Sequence, residues 1–171
     1  MRARDRWYER PFEPLPVLRA LNEYGVEFVL IGGLAAVLQG SPLPTYDIDI
    51  ALSPSASNLN RLQATLRQLD AVALGRARDL RRALADGRTV SFSTRFGKID
   101  VNSQPAGFDS YASLRRGARR LTLESGFDVL CSPIRDIIRS RMATGDSRQM
   151  PALETALELA GALEAEQRAG R

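Results

Sequence analysis

The stretch that most constrains this chain is residues 28–52, Phe-Val-Leu-Ile-Gly-Gly-Leu-Ala-Ala-Val-Leu-Gln-Gly-Ser-Pro-Leu-Pro-Thr-Tyr-Asp-Ile-Asp-Ile-Ala-Leu. Phe28 to Ile31 is a short apolar run, and Gly32-Gly33 breaks it where the backbone needs unusual torsions or close approach to another group. Leu34 to Leu38 can then form a short helix whose first turn presents free N–H groups, a favourable place for phosphate. Gly40-Ser41-Pro42 and Pro44 end it and lead into a second strand, Tyr46 to Leu52. Side chains alternate along a strand, so Asp47 and Asp49 share one face while Ile48, Ile50 and Leu52 share the other. Two carboxylates about 6.6 Å apart by strand rise, with no cation beside them in the sequence, are best relieved by a bound cation. Oxygen ligands at that spacing suit Mg²⁺, which takes one or two protein carboxylates together with substrate phosphates. The chemistry this points to is metal-assisted phosphoryl transfer. An edge strand would tolerate two solvent-facing acids, but aspartate is depleted in strands, and its repetition inside Tyr-Asp-Ile-Asp-Ile calls for a reason.

Composition narrows the alternatives. The 171 residues suffice for one well-buried core, and 44% hydrophobic with 26% charged content is that of a soluble globular protein. No apolar run reaches the roughly 20 residues needed to span a bilayer, and the charged Met-Arg-Ala-Arg-Asp-Arg-Trp start has no apolar segment of the secretory kind. A cytoplasmic protein with no membrane partner is expected. The chain has no histidine, which excludes imidazole acid–base chemistry, histidine-bound zinc and histidine-containing triads. Cys131, the one cysteine, lies in an apolar run and reads as a packed core thiol. Net charge is +4, and Lys98 is the only lysine among 24 basic residues. Arginine-rich surfaces suit phosphate, so a nucleotide or nucleic-acid partner is compatible with the composition.

Residues 1–14 read as an irregular arm that Trp7, Tyr8 and Phe12 could fasten to the body. Val17, Leu18, Leu21 and Tyr24 recur at helical spacing before Gly25, and Leu59, Leu62, Leu66 and Leu69 form the stripe of a second helix beginning near Ala56. The segment 75–87, with Arg76, Arg78, Arg81 and Arg82, reads as a short basic helix or a partly ordered loop. Thr89–Thr94 and Lys98–Asn102 form a hairpin about Phe96-Gly97. It delivers Asp100 between Ile99 and Val101, an odd place for an acid unless it faces something positive. Asp109 competes with it as a functional acid, but Gly107 and Ser110 suit a helix start. A basic helix is expected over 110–120, strands over 121–123 and 127–131, and a helix after Ser132-Pro133. On that helix Arg141 follows the apolar stripe of Ile134, Ile137 and Ile138, so it needs an anion: a phosphate, or a structural partner such as Asp136 or Glu154. A last helix over 151–167 turns Leu153, Ala156, Leu157, Ala160 and Leu163 inward.

Gly32-Gly33, Gly40-Ser41, Thr45 and Asp47-Ile48-Asp49 together resemble the signature of the DNA polymerase beta-like nucleotidyltransferase superfamily, and the pattern runs from about Leu15 to Leu159. Similarity is closest to small bacterial members that include the AbiEii-type nucleotidyltransferase toxins. The resemblance implies an α/β fold: a mixed, twisted sheet flanked by helices, with a core over 15–131 and two C-terminal helices in 132–171 as an extension of the same domain. It implies transfer of a nucleoside monophosphate from an NTP to an acceptor hydroxyl. Asp47, Asp49 and Asp100 would hold two Mg²⁺ ions and carry catalysis, with Gly32, Gly33, Ser41, Thr45 and Arg141 on the nucleotide. The 3′ end of tRNA or another RNA is the acceptor the toxin resemblance suggests, with a cognate antitoxin as protein partner; a protein hydroxyl or an aminoglycoside stays open. The chain departs from the family pattern at Arg141, where a lysine is common, at Asp146, where an arginine is common, and at Gln149, where an aspartate is common. Those departures support an alternative, a catalytically degenerate module that binds nucleotide or RNA without transfer.

Overall fold

Apolar side chains on every second residue of two strands, Asp47–Leu52 and Gly97–Asn102, put Ile48, Ile50, Leu52, Ile99 and Val101 on one face of a sheet and leave the intervening acids on the other. The structure, a computed structural model, describes residues 11–75, 79–124, 126–147 and 150–169, with the side chains of residues 160 and 162–169 left out. In chain order the elements are α1 (Pro14–Glu23), β1 (Phe28–Ile31), α2 (Gly32–Val37), β2 (Asp47–Leu52), α3 (Ala56–Gln68), β3 (Val72–Leu74) and α4 (Leu80–Ala85). There follow β4 (Val90–Thr94), β5 (Gly97–Asn102), α5 (Tyr111–Gly117), β6 (Arg119–Thr122), β7 (Asp128–Cys131), α6 (Ile134–Thr144) and α7 (Met150–Ala169).

The seven strands make one mixed sheet in the order β3-β4-β5-β2-β1-β7-β6. β2 runs parallel to β5 and β1 parallel to β7, and the other neighbours are antiparallel. The expected α/β class, with a mixed sheet, flanking helices and two C-terminal helices, is the observed one. On one face Leu30, Ile48, Ile50, Leu52, Ile99 and Val101 pack with Val17, Leu18 and Leu21 of α1 and with Leu59, Leu62 and Leu66 of α3. Burying each such aliphatic side chain contributes roughly 1.5–3 kcal/mol, so this layer supplies most of the cohesion. The opposite face carries a smaller apolar patch, Val29 and Ala51 against Tyr111 and Leu114 of α5. Ile31 and Leu130 pack against that patch, and over β2 and β5 the same face carries the polar Asp47, Asp49, Lys98 and Asp100. Among the described residues no helix is long and apolar enough to cross a membrane.

Asn58 ties α3 to the strands. Its Nδ2 donates to the carbonyls of Glu27 and Ser53, each at 2.9 Å, and its Oδ1 accepts the Glu27 N–H at 2.7 Å. Ser55 caps the same helix through the Asn58 N–H. Of the expected arm, Phe12 touches the β4–β5 hairpin at Gly97 and the Glu13 N–H donates to the Phe96 carbonyl at 2.9 Å. Trp7 and Tyr8 lie outside the described residues, as do Arg76 and Arg78. Cys131 is buried and its thiol is pushed up to about 12 by burial, as a packed thiol should be.

Two elements differ from expectation. β3 is a three-residue edge strand pairing with β4, too short and too exposed to leave an alternating pattern. The basic helix ends at Gly117: Ala118 turns extended, and Arg119 and Arg120 start β6 opposite Cys131 and Leu130. A cross-strand ladder there outweighs the helical preference of the arginines.

Candidate active site

β2 and β5 pair in parallel register with Asp49 opposite Asp100 and Asp47 opposite Lys98. Residues facing each other across a ladder point to the same side, so Asp47, Asp49, Asp100 and Lys98 rise together from the polar face. β4 extends the rows, with Ser91 opposite Asp100 and Ser93 opposite Lys98. One carboxylate oxygen from each of Asp47, Asp49 and Asp100 lies within 4.8 Å of the others, an arrangement that could hold a metal ion. The strands thus bring the three expected acids to one point. Asp109 is exposed, just before Ser110, whose side chain caps α5.

The carboxylates are not alike. Burial of Asp49, reinforced by the charges of Asp47 and Asp100 and only partly offset by Lys98 and Arg141, raises its pKa from 3.8 to about 7. Asp47 accepts a hydrogen bond from the Thr45 hydroxyl at 3.1 Å. Asp100 accepts from Lys98 Nζ at 2.6 Å through Oδ2, while its Oδ1 is buried with no partner. A buried carboxylate oxygen without a partner costs about 1–3 kcal/mol or more unless something completes its shell.

The cation that the sequence placed nowhere near the acid pair is Lys98, which also lies 3.7 Å from Asp47. Burial works against its charge, but the hydrogen bond to Asp100 and the charges of Asp100, Asp47 and Asp49 outweigh it and lift its pKa above the ordinary lysine value. Strand alternation puts Lys98 and Asp100 on one face of β5, but gives no hint of the Lys98–Asp47 contact. That contact depends on the register between strands far apart in sequence.

Gly32 and Gly33 open α2 directly beneath the acids. Gly32 has φ +66°, and a Cβ there would sit 2.8 Å from Asp49 Cγ and 2.9 Å from its Cβ. A Cβ on Gly33 would lie 2.6 Å from the Thr45 hydroxyl. The space freed by the missing side chains is therefore filled by Asp49 and Thr45, and the glycines allow the acids to be where they are.

Two clefts meet at Asp49. The first, about 310 Å³, runs over Gly32, Asp100 and Asn102 toward Phe108, Asp136 and Ser140. The second, about 340 Å³, runs over Gly33, Ser41, Thr45 and Asp47 toward Leu153. Asp49, Arg141 and Asp146 line both. Arg141 donates to Asp146 at 3.1 Å, so Asp146 is an anionic partner within the protein. Ser41 is buried and accepts from the Leu43 N–H at 3.4 Å, which shapes the second cleft. Gln149 lies outside the described residues.

The donor set fits a hard divalent cation. It consists of carboxylate oxygens alone, packed close enough to repel, with one buried oxygen left unsatisfied and a glycine that makes room for the central ligand.

No family model matches the chain, and no curated protein matches it in sequence. Solved structures do. The crystal structure of ANT(2'')-Ia in complex with adenylyl-2''-tobramycin aligns at TM-score 0.57 and 18% identity, covering 90% of this chain and 93% of its own. The solution structure of the antibiotic-resistance factor ANT(2'')-Ia aligns at 0.54 and 18% identity, over 90% and 88%. A Thermotoga maritima chain provisionally assigned as a nucleotidyltransferase aligns at 0.48 and 15% identity, over 92% and 98%. At these identities the likeness speaks for architecture: the seven-stranded sheet and its helices share the fold of the ANT(2'')-Ia structures.

Proposed function

We propose that the chain is a Mg²⁺-dependent nucleotidyltransferase of the superfamily its motifs resemble. It would move a nucleoside monophosphate from an NTP to an acceptor hydroxyl and release pyrophosphate. The observation that carries this proposal is the convergence of Asp47, Asp49 and Asp100 where two clefts meet. One cleft can then hold the nucleotide and the other the acceptor. Asp47 and Asp49 would hold two Mg²⁺ ions with Asp100 as third ligand; bound metal would neutralise the carboxylates and polarise the phosphoryl oxygens.

The chain's own groups divide the remaining work. Gly33, Ser41 and Thr45 line the cleft assigned to the triphosphate, with Gly32 at the junction. Arg141, kept in place by Asp146, balances charge that builds on the transferring phosphoryl group. Asp100, at the mouth of the other cleft, takes the proton of the attacking hydroxyl. Residues 15–131 supply this core and 132–171 the helices that close it, in a cytoplasmic enzyme.

The acceptor cleft is small and acidic: Asp100, Asp136 and Asp146 line it beside the hydroxyls of Thr89, Ser140 and Thr144. That lining favours a small hydroxylated cation, a class to which the tobramycin of the structural neighbour belongs. The exposed arginines Arg115, Arg116, Arg119 and Arg120 favour a second acceptor, the 3′ end of tRNA, and with it the antitoxin partner of AbiEii-type systems. The test is incorporation from α-labelled ATP, CTP, GTP and UTP, each with Mg²⁺, into tobramycin, total tRNA and the protein itself, with Asp47→Ala/Asp49→Ala as control. Label lost in the double variant supports the transferase and names its acceptor. Nucleotide binding indifferent to Mg²⁺, with no label and no pyrophosphate, would overturn it in favour of the degenerate binding module.

A further inference from the structure

Three carboxylates cannot sit together, half-buried and charged, without a positive group among them. In the metal-free chain that group is Lys98. Its Nζ lies 2.6 Å from Asp100 Oδ2 and 3.7 Å from Asp47 Oδ2, and its side chain is 17% exposed against 16% for Asp100 and 34% for Asp47. It is also the only lysine in a chain that uses arginine at every other basic position. The distinction is physical. A guanidinium is a rigid fork that grips a carboxylate through two hydrogen bonds, whereas an ammonium is a compact point charge on a flexible four-carbon stem. Lys98 accordingly engages a single oxygen of Asp100 at hydrogen-bond distance and leaves the buried Oδ1 without a partner. Ser93, opposite Lys98 in the ladder, also has a buried hydroxyl without a partner. The niche is held together, but its oxygens are not saturated.

We infer that Lys98 is a displaceable counter-ion: it holds Asp47 and Asp100 together in the metal-free protein, and a divalent cation binds the triad by competing it away. This rests on the triad being the metal site of the proposed function. Lys98 is thus a positioning residue whose loss has opposite effects on two properties. Removing the ammonium leaves the acids repelling one another, so the metal-free fold weakens. The same change removes the metal's competitor, so metal affinity rises. A lysine that was merely part of the scaffold would lower both.

The experiment is Mn²⁺ titration of the full chain at fixed pH, read by electron paramagnetic resonance of the free ion, with wild type, Lys98→Met, Lys98→Arg and Asp49→Asn. The expected result is Mn²⁺ binding about tenfold tighter in Lys98→Met and about tenfold weaker in Lys98→Arg, the scale of one charge-assisted hydrogen bond. Thermal melts without metal should rank Lys98→Met below wild type. Unchanged or weaker Mn²⁺ binding in Lys98→Met overturns the inference. If that variant does not fold, wild-type affinity in Lys98→Arg overturns it instead. Wild-type binding that Asp49→Asn abolishes but Lys98 substitutions leave alone overturns the inference and spares the metal site. Absence of any Asp49-dependent binding overturns both.

Discussion

Replacing Asp49 by asparagine should make the metal-free protein more stable at neutral and alkaline pH. The side chain keeps its shape, so the comparison isolates charge. Asp49 titrates near 3.8 when unfolded and at about 7 when folded, chiefly because burial disfavours the carboxylate and Asp47 and Asp100 repel it. A folded pKa raised above the unfolded one means that the native state keeps a proton the unfolded state has released. The contribution of Asp49 to stability is therefore greatest below about pH 4, falls as pH rises toward 7, and levels off beyond. The full difference is about 3 units, or about 4 kcal/mol at roughly 1.36 kcal/mol per unit. Because a proton can be shared among three neighbouring carboxylates, the expected gain in Asp49→Asn is roughly 2–4 kcal/mol at pH 8, vanishing near pH 4. Urea denaturation followed by circular dichroism in EDTA at both pH values measures it. A variant equal to or less stable than wild type at pH 8, or a gain that persists unchanged at pH 4, would refute the assignment of Asp49 as a buried, strained carboxylate. Mg²⁺ should stabilise wild type and leave the variant unmoved.

Gly32→Ala should destabilise the fold by roughly 1–3 kcal/mol, because alanine disfavours φ +66° and its Cβ would displace the Asp49 carboxylate; denaturation and Mn²⁺ affinity should fall together, and loss of neither would show that the glycine is not needed. Asn58→Ala removes three hydrogen bonds at a fully buried site and takes the Asn58 partner from the Glu27 N–H and the Ser53 carbonyl, while the Glu27 carbonyl keeps the Ser53 N–H at 3.1 Å. A loss of about 3 kcal/mol or more is expected by urea melts, and a change below about 1 kcal/mol would mean that water replaces the side chain.

What the chain discloses in advance follows from how far each signal reaches. Asp47 and Asp49 were legible because strand alternation puts them on one face whatever the strand packs against. The Ile99-Asp100-Val101 triplet was legible for the same reason. That Asp100 lands beside Asp49, and Lys98 beside Asp47, needed the β2–β5 register, which no local pattern encodes. Gly32 and Gly33 were visible as points of close approach, but only the structure identifies Asp49 and Thr45 as what approaches. Arg141 announced its need for an anion from its place on the apolar stripe of α6; its partner, Asp146, lies just past the αL turn at Gly145. β3 and the end of α5 escaped because a three-residue edge strand has too few positions for a period, and a run of arginines states no preference strong enough to resist a neighbouring ladder.

The parallel pairing of β2 with β5 also makes the triad an all-or-nothing feature of folding. Between those strands the chain must complete α3, β3, α4 and β4, so Asp100 reaches Asp49 only after a long loop has closed. A slip of one residue would set Ile99 opposite Asp49 and turn Asp100 into the apolar layer. Misregistered chains would thus be both unstable and without the three-carboxylate cluster that could hold a metal ion, so the same pairing that closes the core also assembles the site.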